Sequence, residues 1–349
     1  MPKVAIIGSA SWGTALGIAL ARKGMQVRLW TRTEEEAQKM NRERENAAFL
    51  PGFRFPRCLA AASSIEEVFD GVALVILAVP AQSVRYNARL IRDYLNESVI
   101  VVNASKGLEV GTCKRMSQLI TEELGQNLKS NICVLSGPNI AQEVVLGLYS
   151  AAVIAASDIA VTERARQIIE SPCFSTFTTT DVIGVELGGA LKNIVALATG
   201  MAEGLGYGDN AKTALITYGL AEITSLGVAL GADPLTFSGL ACLGDIVVTC
   251  FSPLGRNHHL GIELAKGHRL KDILSTTSHI AEGVTTTIAA RQLGQKMAVD
   301  MPATEHVYQV LYEGVAPKVA VADLMKCYAR QSCRVAETKL APSLVRHYL

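Results

Sequence analysis

Val4-Ala5-Ile6-Ile7-Gly8-Ser9-Ala10-Ser11-Trp12-Gly13 decides the fold. Four consecutive apolar residues read as a buried parallel strand, and the small-residue turn after them opens directly into a helical run through Lys23, stopped by Gly24. Val27 to Trp30 reads as the next strand, so strand, glycine turn, helix and strand fit within about 30 residues, the setting of a dinucleotide-binding unit. Gly8 and Gly13 supply backbone access: without side chains, amide N–H groups and the positive helix end approach a pyrophosphate closely. Ala10 stands where the central glycine is usual, and its methyl group pushes the pyrophosphate slightly outward. After the second strand an acidic residue normally holds the ribose hydroxyls, but the chain reads Trp30-Thr31-Arg32. The Arg32 guanidinium can stack on adenine or pair with a 2′-phosphate, so the expected cofactor is NAD or NADP.

The alternation continues. Val72 to Val79 and Val99 to Ala104 are apolar strands ending at Pro80 and at Ser105-Lys106-Gly107; Ile132 to Leu135 ends at Ser136-Gly137-Pro138-Asn139. Residues 151–156 and 174–178 read as further strands around a helix at about 161–170. Ligands of open parallel sheets bind beyond the carboxyl ends of strands, which puts Lys106 at the same crevice as the glycine turn. From Asp181, an expected helix cap, helical patterns follow one another over 182–203, 210–230, 258–266, 284–296, 303–313 and 319–329. The expected fold is therefore α/β, with an N-terminal Rossmann-like doubly wound parallel sheet at 1–180 and an all-α C-terminal domain at 181–349.

Composition limits the function classes. With 33 basic and 32 acidic residues and no large block of either sign, nothing points to nucleic acid or to a polybasic membrane surface. No targeting pattern stands at the start and no apolar run reads as a membrane span, so the expected location is cytoplasmic. Eight cysteines lie scattered without zinc spacing; most are expected to be reduced core residues, and no metal site is expected.

One helical stretch carries chemistry: Glu186-Leu187-Gly188-Gly189-Ala190-Leu191-Lys192-Asn193. Gly188 and Gly189 lie four and three residues before Lys192, and Ala196 four after it, so the lysine stem is flanked by small residues. Such a face suits the approach of a ligand or of another backbone; the plainer alternative is tight helix packing beside a surface lysine.

From Val4 to about Ala329 the chain resembles the bacterial-type NAD(P)-dependent glycerol-3-phosphate dehydrogenases. Besides the octapeptide, the resemblance rests on Ser11-Trp12-Gly13-Thr14, Asn46-Ala47-Ala48-Phe49-Leu50-Pro51, Ser105-Lys106-Gly107 and Ser136-Gly137-Pro138. Further on it includes Gly206 to Lys212, Gly239-Leu240-Ala241, Gly244-Asp245, Thr249-Cys250 and Arg256-Asn257. The resemblance implies Lys192 as the base for the substrate hydroxyl, Lys106 as a second lysine lowering its basicity, and Asp245, Asn193 and Thr249 around the same centre. It implies a phosphorylated substrate held by Lys106, Gly137, Asn139, Lys192, Asp245, Gly255, Arg256 and Asn257. Cofactor contacts are implied for Gly8, Ser11, Trp12, Gly13, Arg32, Phe49, Lys106, Ala141, Arg256, Ile280 and Glu282. It also implies a homodimer that supplies glycerol 3-phosphate to phospholipid synthesis.

Departures from the family pattern are Ala10, Asn139 for threonine, Leu148-Tyr149-Ser150 for a proline-containing stretch, Tyr218 for arginine, Cys242 for glycine and Gly255 for serine. Gly255 removes a hydroxyl near the expected phosphate, and Tyr218 alters packing or a subunit contact. His258 and His259 read as solvated, and the tail from about Arg330 as only partly ordered. Two other readings fit the pattern: a β-hydroxyacid-type dehydrogenase acting on a carboxylate, and a non-catalytic NAD(P)H-binding redox sensor.

Overall fold

The structure, a computed structural model, describes residues 2–276 and 281–337. Among these, eight strands form one sheet: β1 Lys3–Ile7, β2 Gln26–Trp30, β3 Leu59–Ala62, β4 Val72–Leu77, β5 Ile100–Asn103, β6 Ile132–Ser136, β7 Ser150–Ala155 and β8 Phe174–Thr179. Their order is β3-β2-β1-β4-β5-β6-β7-β8. The intervening helices are α1 Ser11–Arg22, α2 Glu34–Glu43, α3 Ile65–Phe69, α4 Val84–Ile91, α5 Met116–Leu124, α6 Ala141–Leu146 and α7 Ile159–Ile169. β1 shows why an unbroken apolar run is needed. Val4 and Ile6 pack with Leu16 and Leu29 on one face, while Ala5 and Ile7 pack with Val84 and Ile91 on the other. The strand order reverses between β1 and β4, and the crevice at their carboxyl ends is where such sheets take ligands.

Two features of the sheet differ from the reading above. β3, Leu-Ala-Ala-Ala, carries too little bulk to stand out as a strand but pairs along β2. β7 runs antiparallel to β6, whereas every other neighbouring pair is parallel. A six-residue helix spans only about 9 Å, too short to carry the chain back along β6 for a parallel re-entry.

Beyond β8 the described chain is helical: α8 Val182–Gly204, α9 Asp209–Ala229, α10 Pro234–Phe237, α11 Asp245–Phe251, α12 Arg256–Ala265, α13 Leu270–Thr276, α14 Glu282–Met297, α15 Pro302–Tyr312 and α16 Pro317–Glu337. Asp181 caps α8, accepting from the Gly184 amide. α8 is buried from Gly184 to Ala202 and packs against α9, α11, α12 and α14. By length and mean hydropathy α8 and the segment Pro234–Phe251 are apolar enough to cross a membrane, although neither is an uninterrupted apolar run: α8 carries Glu186 and Lys192, and the second segment carries Asp245. In the fold α8 is the central core helix, and the second segment is broken by a π turn at Leu240–Gly244.

The helical packing is close enough to demand glycine. A methyl group on Gly200 would stand 2.0 Å from the His258 carbonyl oxygen, and one on Gly261 2.4 Å from that of Leu197. The expectation for His258 is corrected here: α8 and α12 meet so tightly that it is buried, with Nε2 3.3 Å from Glu203, whereas His259 is exposed. Of the seven cysteines whose side chains are described, all free thiols, only Cys133, Cys242 and Cys250 are buried, fewer than expected. Tyr218 stacks on Tyr328 with ring centroids 4.2 Å apart, so this departure serves the packing of α9 on α16. The tail beyond Glu337 lies outside the described residues.

Candidate active site

The glycine turn has the shape of an anion cradle. Gly8 has φ +118°, and a methyl group there would stand 2.4 Å from the Ala78 carbonyl oxygen at the end of β4. A methyl group on Gly13 would stand 1.9 Å from the Gly8 carbonyl oxygen. Only glycine permits this contact between α1 and β1. The first turn of α1 carries no acidic residue, and Ala10 makes no side-chain cap, so no carboxylate of this turn competes for its amides. The stretch from Asn46 buttresses the turn: Asn46 Nδ2 donates to the Ser9 carbonyl at 2.6 Å and to Thr14 Oγ1 at 2.8 Å. Ser11 Oγ donates to the Phe49 carbonyl at 2.8 Å, and the Trp12 indole N–H is buried without a partner. Arg32 is exposed just past β2. The donor set and the cradle fit a dinucleotide.

Across the crevice stands a lysine–carboxylate–lysine cluster. Lys192, on the buried face of α8, donates to Asp245 Oδ1 and, at 2.8 Å, to Thr249 Oγ1. Lys106, at the end of β5, donates to Asp245 Oδ2 at 2.6 Å and to the Gly137 carbonyl at 2.9 Å. Asp245 is 1% exposed and Lys192 8%. Burial, opposed by the Asp245 carboxylate and assisted by the like charge of Lys106, brings the Lys192 ammonium down to about 8. Of the two effects that lower it, desolvation leads, and Lys106, the one expected from family resemblance, contributes less.

The two glycines before Lys192 serve the protein itself. A methyl group on Gly188 would stand 2.7 Å from Cys242 Cβ, and one on Gly189 2.4 Å from Ser136 Oγ. The stripped face of α8 is therefore filled by the π turn at Leu240–Gly244 and by the end of β6, and the plainer alternative describes these two positions.

A second layer joins α8, α12 and α14. Asn257 Nδ2 donates to Asn193 Oδ1 at 2.8 Å, and Asn257 Oδ1 accepts from the Gly283 amide at 2.9 Å. Glu282, at the start of α14, reaches the sheet and accepts from the Ala81 amide at 3.1 Å; burial raises its carboxyl to about 7. Arg256 is exposed at the first turn of α12. Gly255 precedes it, and a methyl group there would stand 2.5 Å from the Thr249 carbonyl oxygen, so this chain closes the turn more tightly than a side chain permits. Asn139 Nδ2 donates to the Ala151 carbonyl at 2.9 Å, which ties its amide to β7. Ala141 opens α6, and Ile280 lies outside the described residues. Three carboxylate partnerships escaped sequence reasoning: Glu186 with Arg115 and Ser117, Glu203 with Lys212, and Glu222 with Thr304. Each joins residues distant in sequence or on different helices, and no local pattern marks them.

A switch-point glycine cradle, and a buried lysine–carboxylate–lysine cluster whose Lys106 follows a neighbouring strand of the same sheet, define a dinucleotide-binding protein of the dehydrogenase type. Residues 3–162 match the NAD-dependent glycerol-3-phosphate dehydrogenase N-terminus and residues 181–322 its C-terminus. The chain belongs to this family. It is 50% identical over 330 residues to glycerol-3-phosphate dehydrogenase [NAD(P)+] of Dehalococcoides mccartyi, covering 94% of this chain and 92% of the relative. To the enzyme of the same name from Moorella thermoacetica it is 46% identical over 323 residues, covering 93% and 95%. The crystal structure of glycerol-3-phosphate dehydrogenase from Coxiella burnetii superposes with a TM-score of 0.88 at 34% identity, over 93% of this chain and 98% of that one.

Proposed function

We propose that this chain interconverts sn-glycerol 3-phosphate and dihydroxyacetone phosphate, with NAD or NADP as the hydride carrier. The observation that carries the reading is the buried contact of Lys192 and Lys106 with the two oxygens of Asp245. A nicotinamide dinucleotide held at the Gly8–Gly13 turn would supply the acceptor for the hydride on carbon 2 of the alcohol. Everything else falls to the chain. Neutral Lys192 takes the hydroxyl proton, and in reduction its ammonium returns that proton to the carbonyl oxygen. Asp245 and Thr249 aim the lysine, and Lys106 adds a fixed positive charge beside the oxygen where negative charge develops. Asn193 holds Asn257 at the start of α12, where the Arg256 fork and the backbone amides suit a phosphate.

Residues 1–180 then form the dinucleotide-binding domain and 181–349 the catalytic domain. Gly8, Ser11, Trp12, Gly13, Arg32, Phe49, Ala141, Arg256, Ile280 and Glu282 serve the cofactor; Gly137, Asn139 and Gly255 line the substrate side. A cytoplasmic homodimer supplying glycerol 3-phosphate for phospholipid synthesis completes the reading. The free thiols of the seven cysteines whose side chains are described accord with a reducing compartment, and the dimer follows from family resemblance.

The test follows NADH and NADPH oxidation by absorbance on addition of dihydroxyacetone phosphate or of dihydroxyacetone. The expected result is turnover that requires the phosphate. The ratio of rates with the two cofactors reports on Arg32. Cofactor binding without turnover on either compound would replace this reading by a sensor or by a dehydrogenase for another substrate.

A further inference from the structure

Glu186 stands on α8 six residues before Lys192, yet its carboxylate leaves the helical half and closes on the sheet side. Oε1 accepts from the Ser117 amide at 2.7 Å; Oε2 accepts from Ser117 Oγ at 2.6 Å and from Arg115 Nη1 at 2.5 Å. Arg115 and Ser117 form the start of α5, whose unpaired amides and positive end favour an anion. The pair is largely out of solvent, with side-chain exposures of 5% for Glu186 and 17% for Arg115. A buried carboxylate with both oxygens engaged fixes geometry, because losing any one partner leaves a costly unsatisfied group.

That geometry leads back to Lys106. Arg115 pairs in an antiparallel bridge with Leu108, two residues from Lys106, and the loop between them is closed by the Glu109 amide on the Lys114 carbonyl at 3.0 Å. Leu108 itself is buried in the core of the helical half. On the α8 side, a methyl group on Gly189 would stand 3.6 Å from Lys106 Cδ, so the helix lies directly against the lysine stem. Glu186 therefore grips the far end of the loop whose near end is Lys106, while the same helix carries Lys192.

We propose that Glu186, with Arg115 and Ser117, is a positioning clamp that sets the reach of Lys106 to Asp245 beside Lys192. The proposal rests on the reading of Lys192 as the base. Its first test does not.

In a crystal structure of Glu186→Gln, whichever way the side-chain amide is turned, its nitrogen meets a donor, Arg115 Nη1 or the Ser117 amide, and the grip fails. The Lys106 Nζ to Asp245 Oδ2 distance, 2.6 Å in the native chain, should open beyond about 3.5 Å. An unchanged distance overturns the clamp whatever the native turnover. Kinetics on the full chain then separate positioning from general stability. Glu186→Gln should lower kcat by about tenfold or more, leave the cofactor Kd within about twofold, and raise the apparent pKa of the oxidation profile as Lys192 loses its like-charged neighbour. Glu186→Asp, which restores the charge at shorter reach, should recover part of kcat and move the profile back. A kcat loss that only follows a fall in melting temperature, with the pH profile unmoved, makes Glu186 merely structural and overturns the proposal. Absence of native turnover on the phosphorylated substrate would instead refute the functional reading and leave the crystallographic test standing.

Discussion

At the scale of the residue, Lys192 is governed by what surrounds it. An ordinary lysine titrates at about 10.4, so at neutral pH almost none is available as a base. Burial inside α8 brings it to about 8, against the pull of Asp245. The sign follows directly: a lowered cation in the fold means that the unfolded chain binds more protons between about 8 and 10.4, so stability from this residue increases with pH across that window. As the proposed base, Lys192 has to be neutral for oxidation. Its kcat/KM should therefore rise with pH and level off above about 8, with the apparent value belonging to the Lys192, Asp245 and Lys106 cluster together. Lys192→Ala should remove this limb and lower kcat by about 10²- to 10⁴-fold, with cofactor affinity nearly unchanged in a fluorescence titration. Unchanged turnover in that variant would dismiss Lys192 as the base.

At the scale of the element, α8 works because it is thin. Gly188 and Gly189 admit the π turn and β6, and Gly200 admits the backbone of α12. A carbonyl oxygen on a neighbouring helix has little room to yield, so Gly200→Ala should push α8 and α12 apart. The expected loss is about 1–3 kcal/mol in urea unfolding, despite the better helix propensity of alanine. Gly208→Ala is the steric control: a methyl group there meets nothing within 4 Å, and its cost should be only that of alanine as the cap of α9, up to about 1 kcal/mol. Equal stabilities for the two variants would show that α8 and α12 separate without strain.

At the scale of the whole molecule, the helical half is tied together by a buried carboxylate. Glu222 of α9 caps α15, accepting from the Ala303 amide at 2.7 Å, the Thr304 amide at 3.1 Å and Thr304 Oγ1 at 2.6 Å. Burial outweighs these bonds and raises its carboxyl to about 7. A raised acid in the fold binds its proton when the unfolded chain has lost it, so stability from Glu222 is fullest below about 4.5 and falls as pH rises to about 7. Glu222→Gln keeps an acceptor without a charge. Comparing urea unfolding at pH 5 and 7.5, the native chain should lose on the order of 1–3 kcal/mol relative to this variant; parallel curves would mean that Glu222 titrates normally. The extent to which such features are legible in sequence follows from their range. Val4 to Gly13 specify strand, turn and helix through neighbours a few residues apart, and the same holds for the Asp181 cap and the succession of helices. The match of Lys106, Lys192, Asp245 and Thr249 to a family pattern likewise located the cluster. By itself, then, the sequence determined the alternating sheet, the helical half and the residues of the buried lysine–carboxylate cluster. Only the tertiary structure decided that β7 reverses, that His258 is buried, that the space beside Gly188 and Gly189 is filled by the protein, and that Glu186 reaches Ser117. These depend on which surfaces meet across 69 or more residues in the case of Glu186, and side-chain partners at that distance leave no periodicity in the chain.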